Sequence, residues 1–147
     1  MFSGRSVELK NPVFFSEVCA AIKARLGKCN ALVIGDGEES LKATMRRIFE
    51  QHGVSCEFAG FIKHAELPDY YAQSRMLLLP TSMDCWGVVI NEAMLAGTPV
   101  ITTEWTAAAG ELVLDNRNGY VLPLDAQAWA SAACELLSNQ TMRSSFS

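Results

Sequence analysis

Short apolar runs alternate with amphipathic helical patterns along the whole chain, and this alternation leaves few architectures open to it. The patterns predict strands near residues 2–4, 31–34, 54–58, 76–79, 99–103 and 119–122, and helices over 13–26, 38–51, 66–73, 88–96, 110–114 and 125–137. The run at 31–34, Ala-Leu-Val-Ile, lacks polar alternation, which is typical of a strand buried on both faces. Repeated strand–helix units build parallel sheets. We therefore expect an α/β fold with a doubly wound, parallel six-stranded sheet and helices on both faces.

Composition and charge narrow the classes of partner. A length of 147 residues suits about one domain. Half of the residues are apolar and only 19% are charged, so we expect a folded core rather than disorder. The net charge of −4 argues against a nucleic-acid partner, because phosphate backbones are bound by clustered lysine and arginine. No apolar stretch approaches the roughly 20 residues that a membrane-spanning helix needs.

The cysteines indicate reduced thiols rather than a disulfide framework or a zinc site. Their number is odd and none has Cys-x-x-Cys spacing, a pattern typical of a cytosolic protein. The first residues also lack the charged-then-apolar layout of a signal peptide. We therefore expect a cytoplasmic protein with reduced, mostly buried thiols and no zinc site. The cysteines are Cys19, Cys29, Cys56, Cys85 and Cys134.

Two carboxylates, Asp84 and Glu92, mark the segment with the clearest chemistry. An apolar run ends at Pro80, a polar loop follows, and an apolar helix is predicted from near Gly87 to Gly97. Backbone N–H groups at a helix start have no intrahelical acceptor and attract anions. Free amides beside two acids suit a ligand that carries phosphate at one end and hydroxyl groups at the other.

Each of these two carboxylates, and each basic residue near the start of the chain, also has a plainer interpretation. Asp84 can be a helix-capping or loop residue, since aspartate is favoured before a helix. Glu92 and Asn91 can mark a narrow solvent-facing strip of an otherwise apolar helix, although a buried carboxylate needs a partner. Arg5 and Lys10, taken alone, are ordinary surface charges.

Several short motifs occur in a fixed order along the chain. They are Gly4-Arg5 with Lys10, Leu-Val-Ile-Gly-Asp-Gly at 32–37, Phe-Ala-Gly-Phe at 58–61, Leu-Pro-Asp-Tyr-Tyr at 67–71, Leu-Pro-Thr-Ser at 79–82, Glu-Ala-Met-Leu-Ala-Gly-Thr-Pro-Val at 92–100 and Asn-Gly-Tyr-Val at 118–121. Together they resemble the C-terminal, donor-binding domain of GT-B fold glycosyltransferases, in particular the retaining family 4. The resemblance covers nearly the whole chain and implies one Rossmann-like half of a GT-B fold.

The resemblance also implies roles for individual residues. Arg5 and Lys10 would neutralise the diphosphate of a nucleotide-sugar donor, Asp84 would hold a hydroxyl of the transferred sugar, and Glu92 would accept hydrogen bonds from the ribose. The remaining implied contacts are made mainly by backbone. The backbone at Trp86, Gly87 and Val88, near the helix start, would face the sugar and the phosphates. The backbone at Ile62 and Lys63, after the third strand, would border the base, and the glycine turn at Gly35 would lie beside the donor.

Two departures from the family pattern stand out. The family usually has glutamate where this chain has Asp84, and the shorter side chain changes its reach by about one carbon–carbon bond, enough to disturb a positioned contact. The N-terminal acceptor domain and the final crossover helix of the GT-B fold are absent, so residues 1–147 are expected to be a donor-binding domain from a larger protein. We also expect an exposed apolar face where the missing domain docks, and a polar tail at 142–147.

The expected function is therefore donor binding in a retaining glycosyltransferase that transfers a hexose from a nucleoside-diphosphate sugar to a glycan or lipid-linked acceptor bound by the N-terminal domain. No cofactor or metal is expected. The resemblance also leaves open a peripheral association of the full-length enzyme with the inner face of the membrane. Two alternatives are a sugar-nucleotide epimerase and a non-catalytic nucleotide-binding module. A dinucleotide site is disfavoured, because Ser40 replaces the last glycine of Gly-x-Gly-x-x-Gly.

Overall fold

The computed structural model describes residues 1–146 of the chain, and within them strands and α-helices alternate. The strands are β1 (Phe2–Ser3), β2 (Asn30–Ile34), β3 (Ser55–Gly60), β4 (Leu77–Leu79), β5 (Val100–Thr102) and β6 (Gly119–Val121). The helices are α1 (Pro12–Leu26), α2 (Glu39–His52), α3 (Leu67–Gln73), α4 (Val88–Leu95), α5 (Ala126–Ser138) and α6 (Gln140–Ser145), and a 3₁₀ turn covers Glu8–Lys10. Every predicted strand is present, with bounds within two residues of those expected.

All strand pairings are parallel, in the orders β1-β2-β3 and β4-β5-β6. The two sets meet where the N–H of Leu78 donates to the carbonyl of Met1 at 2.9 Å and the Met1 nitrogen donates to the carbonyl of Met76 at 2.7 Å. The six strands therefore follow the doubly wound order 3-2-1-4-5-6. Within this order β1 belongs to one three-stranded sheet with β2 and β3, and β4 belongs to the other with β5 and β6.

Hydrophobic cores cover both faces of the sheet, as predicted. Helices α1, α2 and α5 pack on one face, and α3 and α4 pack on the other. Alternate residues of the same strand enter opposite cores, because successive side chains of a strand point to opposite faces. Strand residues buried in the first core are Phe2, Ala31, Val33, Leu78, Ile101 and Tyr120. Those in the second are Ile34, Leu77, Leu79 and Val100.

The helix predicted at 110–114 is wrong, because the chain makes closed turns there. The N–H of Gly110 donates to the carbonyl of Val113 at 2.9 Å, which closes a tight loop. The side chain of Asn118 then accepts from the N–H of Leu114 at 2.7 Å and donates to the carbonyl of Leu112 at 2.9 Å. These bonds occupy backbone groups that a helix would need.

The predicted polar tail at 142–147 is also wrong for the part that the structure describes, and Ser147 lies outside the described residues. Helix α6 covers most of it, capped by Asn139, whose side chain accepts from the N–H of Met142 at 2.9 Å. Phe146 is only 5% exposed. Its ring packs on Tyr120 with ring centroids 5.4 Å apart. One aromatic residue therefore anchors a segment that composition alone marks as polar.

Candidate functional site

The strand order opens a crevice between the carboxyl ends of β1 and β4. These strands lie side by side, yet β1 leads to α1 on one face and β4 leads to α4 on the other. Ligands of open α/β sheets bind where neighbouring strands diverge in this way. The segment after β1 carries Arg5 and Lys10, and the segment after β4 carries Asp84 and the start of α4.

An ion pair joins the two sides of the crevice. The Nζ of Lys10 contacts the Oδ2 of Asp84, and each side chain is 21% exposed. The other carboxylate oxygen of Asp84 accepts from the N–H of Gly87 at 2.9 Å and of Trp86 at 3.3 Å. Asp84 therefore organises the start of α4, as the plainer interpretation expects, and also places the Lys10 ammonium. Its contact with a sugar stays a prediction.

The two segments are also joined by hydrogen bonds around this ion pair. The side-chain amide of Asn11 donates to the carbonyl of Pro80 at 2.8 Å and to the hydroxyl of Ser82 at 2.6 Å. The N–H of Ser82 donates to the carbonyl of Leu9 at 2.8 Å. Residues 9 and 11, on either side of Lys10, are thus tied to residues 80 and 82, which shortly precede Asp84.

The environment of Asp84 favours its charged form. Partial burial alone would raise the pKa of the Asp84 carboxyl, but the hydrogen bond and charge of Lys10 and the amides of Trp86 and Gly87 outweigh burial and hold the pKa below its ordinary value. The carboxylate therefore stabilises the folded state above the pKa it has in the unfolded chain, about 3.9. This contribution is lost as the pH falls through the lowered folded-state pKa.

Replacing Asp84 with asparagine is expected to lower the melting temperature at pH 7 by about 2–4 °C, which corresponds to about 1 kcal/mol, the upper end for a partly solvated ion pair. The difference from wild type should shrink as the pH falls below about 4, because Asp84 is then protonated first in the unfolded chain and, at lower pH, in the folded protein too. Calorimetric scans between pH 2 and 8 measure it. Asp69→Asn, at an exposed position on α3, is the control. A difference for Asp84→Asn that does not change with pH would contradict this account.

The start of α4 presents free amides to the crevice. Gly87 precedes the helix with a φ of 82°. A Cβ at this position would lie 2.7 Å from the Oγ1 of Thr106, so the glycine permits a close approach of the loop after β5. The N–H groups of Val88 and Val89 have no acceptor among residues 1–146. With Val88 63% exposed, this end of the helix is open to an anion.

Glu92 lies one turn further along α4 and is held from two sides. The hydroxyl of Tyr71 donates to the Oε2 of Glu92 at 2.9 Å, and the same hydroxyl lies 2.9 Å from the Oγ of Ser3. The Nδ1 of His64 lies 3.5 Å from the Oε1 of Glu92, whose side chain is 20% exposed. The carboxylate is therefore mostly buried and paired, rather than part of a solvent-facing strip.

The loops after β2 and β3 complete this edge of the sheet. The N–H of Gly35 donates to the carbonyl of Gly60 at 2.7 Å. A Cβ on Gly35 would lie 2.2 Å from the carbonyl oxygen of Gly4, so the loop after β2 also touches the loop after β1 through backbone. In the loop after β3, Ile62 is half-buried and Lys63 is exposed. The following residue, His64, brings this loop to Glu92.

The structure thus brings most of the predicted residues to one edge, but in two groups. Lys10, Asp84 and residues 86–88 form the first, and Glu92 with the loop at 62–64 forms the second. Arg5 is exposed on the segment after β1, and its guanidinium has no hydrogen-bond or ion-pair partner within residues 1–146. Its role stays a prediction.

The contribution of Tyr71 was not predicted from the sequence, where this residue stands only as part of a motif. A tyrosine at an apolar position of a short helix gives no signal that its hydroxyl reaches a carboxylate 21 residues away. Thr106 was missed for the same reason, since its hydroxyl donates to the carbonyl of Trp86 at 2.6 Å from a different loop. Only the strand order places these pairs together.

Two cavities differ in their relation to these residues. A cavity of about 200 Å³ adjoins Glu92 and is lined by Tyr71, His64, Leu67, Pro68, Leu95 and Ala96. A larger cavity of about 860 Å³ lies near the opposite ends of the strands, beside Met1, Asn30 and Met76. None of the predicted site residues lines the larger cavity, whereas Glu92 lines the smaller one, so we place the site at the edge of the sheet that carries the smaller cavity.

Residues 1–146 lack two further features. No three His, Cys, Asp or Glu side chains in this part of the chain are grouped closely enough to hold a metal ion. No helix among these residues has both the length and the apolar character required to cross a membrane.

Comparison with known proteins gives the family. The family model described as glycosyl transferases group 1 matches residues 1–139. The chain belongs to the group 1 glycosyl transferases. Among curated relatives, the D-inositol 3-phosphate glycosyltransferase of Corynebacterium urealyticum is 28% identical over 97% of this chain and 35% of that protein. This group 1 chain spans about a third of the length of the first curated relatives it matches.

Solved structures of similar proteins confirm the fold of this group 1 domain. The C-terminal domain of the group 1 glycosyl transferase LpcC from Francisella tularensis superposes with a TM-score of 0.84 at 23% identity, over 99% of this chain and 77% of that one. HepE of Anabaena, solved with UDP and glucose, superposes with a TM-score of 0.84 at 21% identity, over 99% and 40% of the two chains. The predicted family and GT-B fold are thus confirmed, while the retaining family 4 assignment stays a prediction.

Proposed function

We propose that this chain is the nucleotide-sugar donor-binding domain of a retaining, family 4 glycosyltransferase. The whole enzyme would transfer a hexose from a nucleoside-diphosphate sugar to a glycan or lipid-linked acceptor. The observation that carries this proposal is the Lys10–Asp84 ion pair at the crevice between β1 and β4, beside the open amides of α4. A cation and helix amides at such a crevice are suited to a diphosphate.

Lys10 and the start of α4 would bind the diphosphate. A lysine ammonium has three N–H donors, and Asp84 uses one of them. Two donors remain for phosphate oxygens, beside the N–H groups of Val88 and Val89. The exposed guanidinium of Arg5, on the same segment as Lys10, would add a forked contact.

Asp84 and Glu92 would bind the hydroxyl groups of the donor. A carboxylate offers about four acceptor positions. Lys10 and the N–H groups of Trp86 and Gly87 occupy three of those on Asp84, which leaves about one for a sugar hydroxyl. The Oε1 of Glu92 lies 3.5 Å from the Nδ1 of His64, a side chain that is 86% exposed, and would accept a hydrogen bond from the ribose. The cavity next to Glu92 is lined mostly by apolar side chains. This cavity and the loop at 62–63 would border the base.

The chemistry proposed for this domain is electrostatic. As the glycosidic bond to the diphosphate breaks, negative charge develops on the leaving group. Lys10, Arg5 and the amides of α4 are placed to stabilise that charge, which lowers the barrier. These groups supply the positive charge that other enzymes obtain from a metal ion, so we propose that transfer needs none. Retention of configuration rests on the family analogy.

An apolar rim around the crevice supports the presence of a second domain in the whole enzyme. Met83, Val88 and Trp105 are 64%, 63% and 59% exposed. The carbonyl of Trp105 accepts from the N–H of Asp84 at 2.9 Å, so this rim adjoins the proposed donor site. Large exposed apolar side chains around a site are typical of a surface that another domain covers. The acceptor would bind there.

A panel of nucleotides tests the proposal. We expect one of UDP, GDP, ADP and CDP to raise the melting temperature of the chain without magnesium, because a ligand at 100 times its dissociation constant stabilises by about 2.7 kcal/mol. NAD should not. Loss of the shift in Asp84→Asn and Glu92→Gln, with the shift kept in Asp69→Asn, would assign it to this site. Stabilisation by NAD alone, or by a diphosphate only with magnesium, would contradict the proposal.

A further inference from the structure

Tyr71 lies between the end of β1 and helix α4 and is completely buried, with 0% of its surface exposed. Its backbone is fixed as well, since its carbonyl accepts from the hydroxyl of Thr98 at 2.7 Å and from the N–H of Ser74 at 2.8 Å. The phenol therefore has little freedom to move. Its hydroxyl lies 2.9 Å from Ser3 on β1 and 2.9 Å from Glu92 on α4.

The carboxylate of Glu92 sets the direction of both hydrogen bonds. An ionised carboxylate accepts hydrogen bonds and cannot donate them, so Tyr71 donates to Glu92. The Tyr71 oxygen is then left as an acceptor, and the hydroxyl of Ser3, which is 3% exposed, donates to it. Ser3, Tyr71 and Glu92 form an ordered relay from the end of β1 to α4.

Tyr71 keeps its proton over the whole physiological range. Burial, and to a smaller extent the neighbouring Glu92 carboxylate, raise the pKa of Tyr71 above its ordinary value. The relay therefore does not break near neutral pH through loss of the phenol proton.

The relay decides which oxygen of Glu92 is available. Tyr71 holds Oε2, so the carboxylate cannot rotate without breaking this partly buried hydrogen bond. The other oxygen, Oε1, lies on the side of His64, which is 86% exposed. Glu92, His64 and Tyr71 all line the 200 Å³ cavity. Of the two oxygens, Oε1 is thus the one left for a ligand in that cavity.

We propose that Tyr71, oriented by Ser3, is a positioning residue that fixes the Glu92 carboxylate so that its Oε1 accepts hydrogen bonds from a vicinal diol, and that this relay makes the site select ribose over sugars without those hydroxyls. The inference rests on the proposed function, since it assigns the diol to the ribose of the nucleoside diphosphate. It goes beyond that function by assigning selectivity to Tyr71 and Ser3, which act through the Glu92 carboxylate.

The test compares each of UDP, GDP, ADP and CDP with its 2′,3′-dideoxy form by isothermal calorimetry. For wild type we expect the ribose form of the preferred nucleotide to bind at least tenfold more tightly than its dideoxy form. Tyr71→Phe should lower the affinity for the ribose form by about tenfold and leave the dideoxy affinity unchanged. Ser3→Ala should shift the same ratio in the same direction by less, because Tyr71 still donates to Glu92.

The neighbouring Tyr70 offers a matched control. It lies on the same helix, and its hydroxyl has no hydrogen-bond partner within residues 1–146. Tyr70→Phe should leave the ratio unchanged. Melting temperatures of all variants separate a loss of folding from a loss of selectivity.

The outcomes distinguish this role from the proposed function. If Tyr71→Phe binds both forms with equally reduced affinity, or keeps the wild-type ratio, Tyr71 has only a structural role and the inference is wrong. If wild type binds a ribose nucleotide and its dideoxy form equally well, the inference fails while the diphosphate site stands. If wild type binds none of the nucleotides, both the inference and the proposed function are overturned.

Discussion

Replacing Lys10 with alanine is expected to weaken binding of the preferred nucleoside diphosphate by about tenfold to a hundredfold, the range for loss of a hydrogen bond to a charged group. The ammonium is placed at the crevice by Asp84 and has two N–H groups left for phosphate oxygens. In the whole enzyme the effect on turnover should be larger, about a hundredfold or more, because charge on the diphosphate grows in the transition state. Isothermal calorimetry and initial-rate measurements test the two parts.

Lys28→Ala is the control for this substitution. Lys28 is exposed and precedes β2, at the opposite edge of the sheet from the crevice. The Lys28→Ala substitution removes the same charge from the protein, so its effect on nucleotide affinity measures only long-range electrostatics, which salt screens. Equal losses of affinity in Lys10→Ala and Lys28→Ala would show that Lys10 makes no specific contact with phosphate.

Replacing Gly35 with alanine is expected to lower the free energy of unfolding by about 3 kcal/mol, because two effects combine at this position. Gly35 has a φ of 108°, and an added Cβ would lie 2.2 Å from the carbonyl oxygen of Gly4. The obstacle is backbone, which cannot move aside as a flexible side chain can. The loop that carries Arg5 would have to shift, so nucleotide affinity should fall as well. Urea denaturation and calorimetry measure the two losses.

Gly27→Ala separates the steric effect from the conformational one. Gly27 ends α1 with a φ of 73°, but no heavy atom lies within 4 Å of an added Cβ. Alanine there should cost only about 1–2 kcal/mol, the penalty for a left-handed backbone. If Gly35→Ala lowers the free energy of unfolding no more than Gly27→Ala does, the loops that carry Gly35 and Gly4 are not in close contact.

The order of strands and helices could be predicted because it depends on local properties. A strand buried on both faces needs a continuous apolar run, and a helix needs its own spacing of apolar residues, so each element is encoded within its own segment. The prediction was wrong at two places where a tertiary contact or an irregular turn outweighs the local sequence pattern. At 110–114, the side chain of Asn118 takes backbone groups into a turn. At 142–146, Phe146 docks on Tyr120 and holds a short helix in place.

The candidate site was predicted residue by residue, but its arrangement was not. The motif pattern named Lys10, Asp84 and Glu92, with separate ligand contacts for each. The structure pairs Lys10 with Asp84, across 74 positions of sequence. It also gives Glu92 a partner, Tyr71, whose hydroxyl no periodicity marks as functional.

By itself, the sequence determined the alternation of strands and helices, the parallel sheet and the family to which the chain belongs, because these follow from local apolar spacing and from motifs of a few residues. The tertiary structure alone decided which charged and polar side chains meet. Lys10 reaches Asp84, and Ser3 reaches Tyr71, only because β1 lies beside β4 in the strand order 3-2-1-4-5-6. That adjacency is set by how the helices pack on the two faces of the sheet, and no single segment of sequence encodes it.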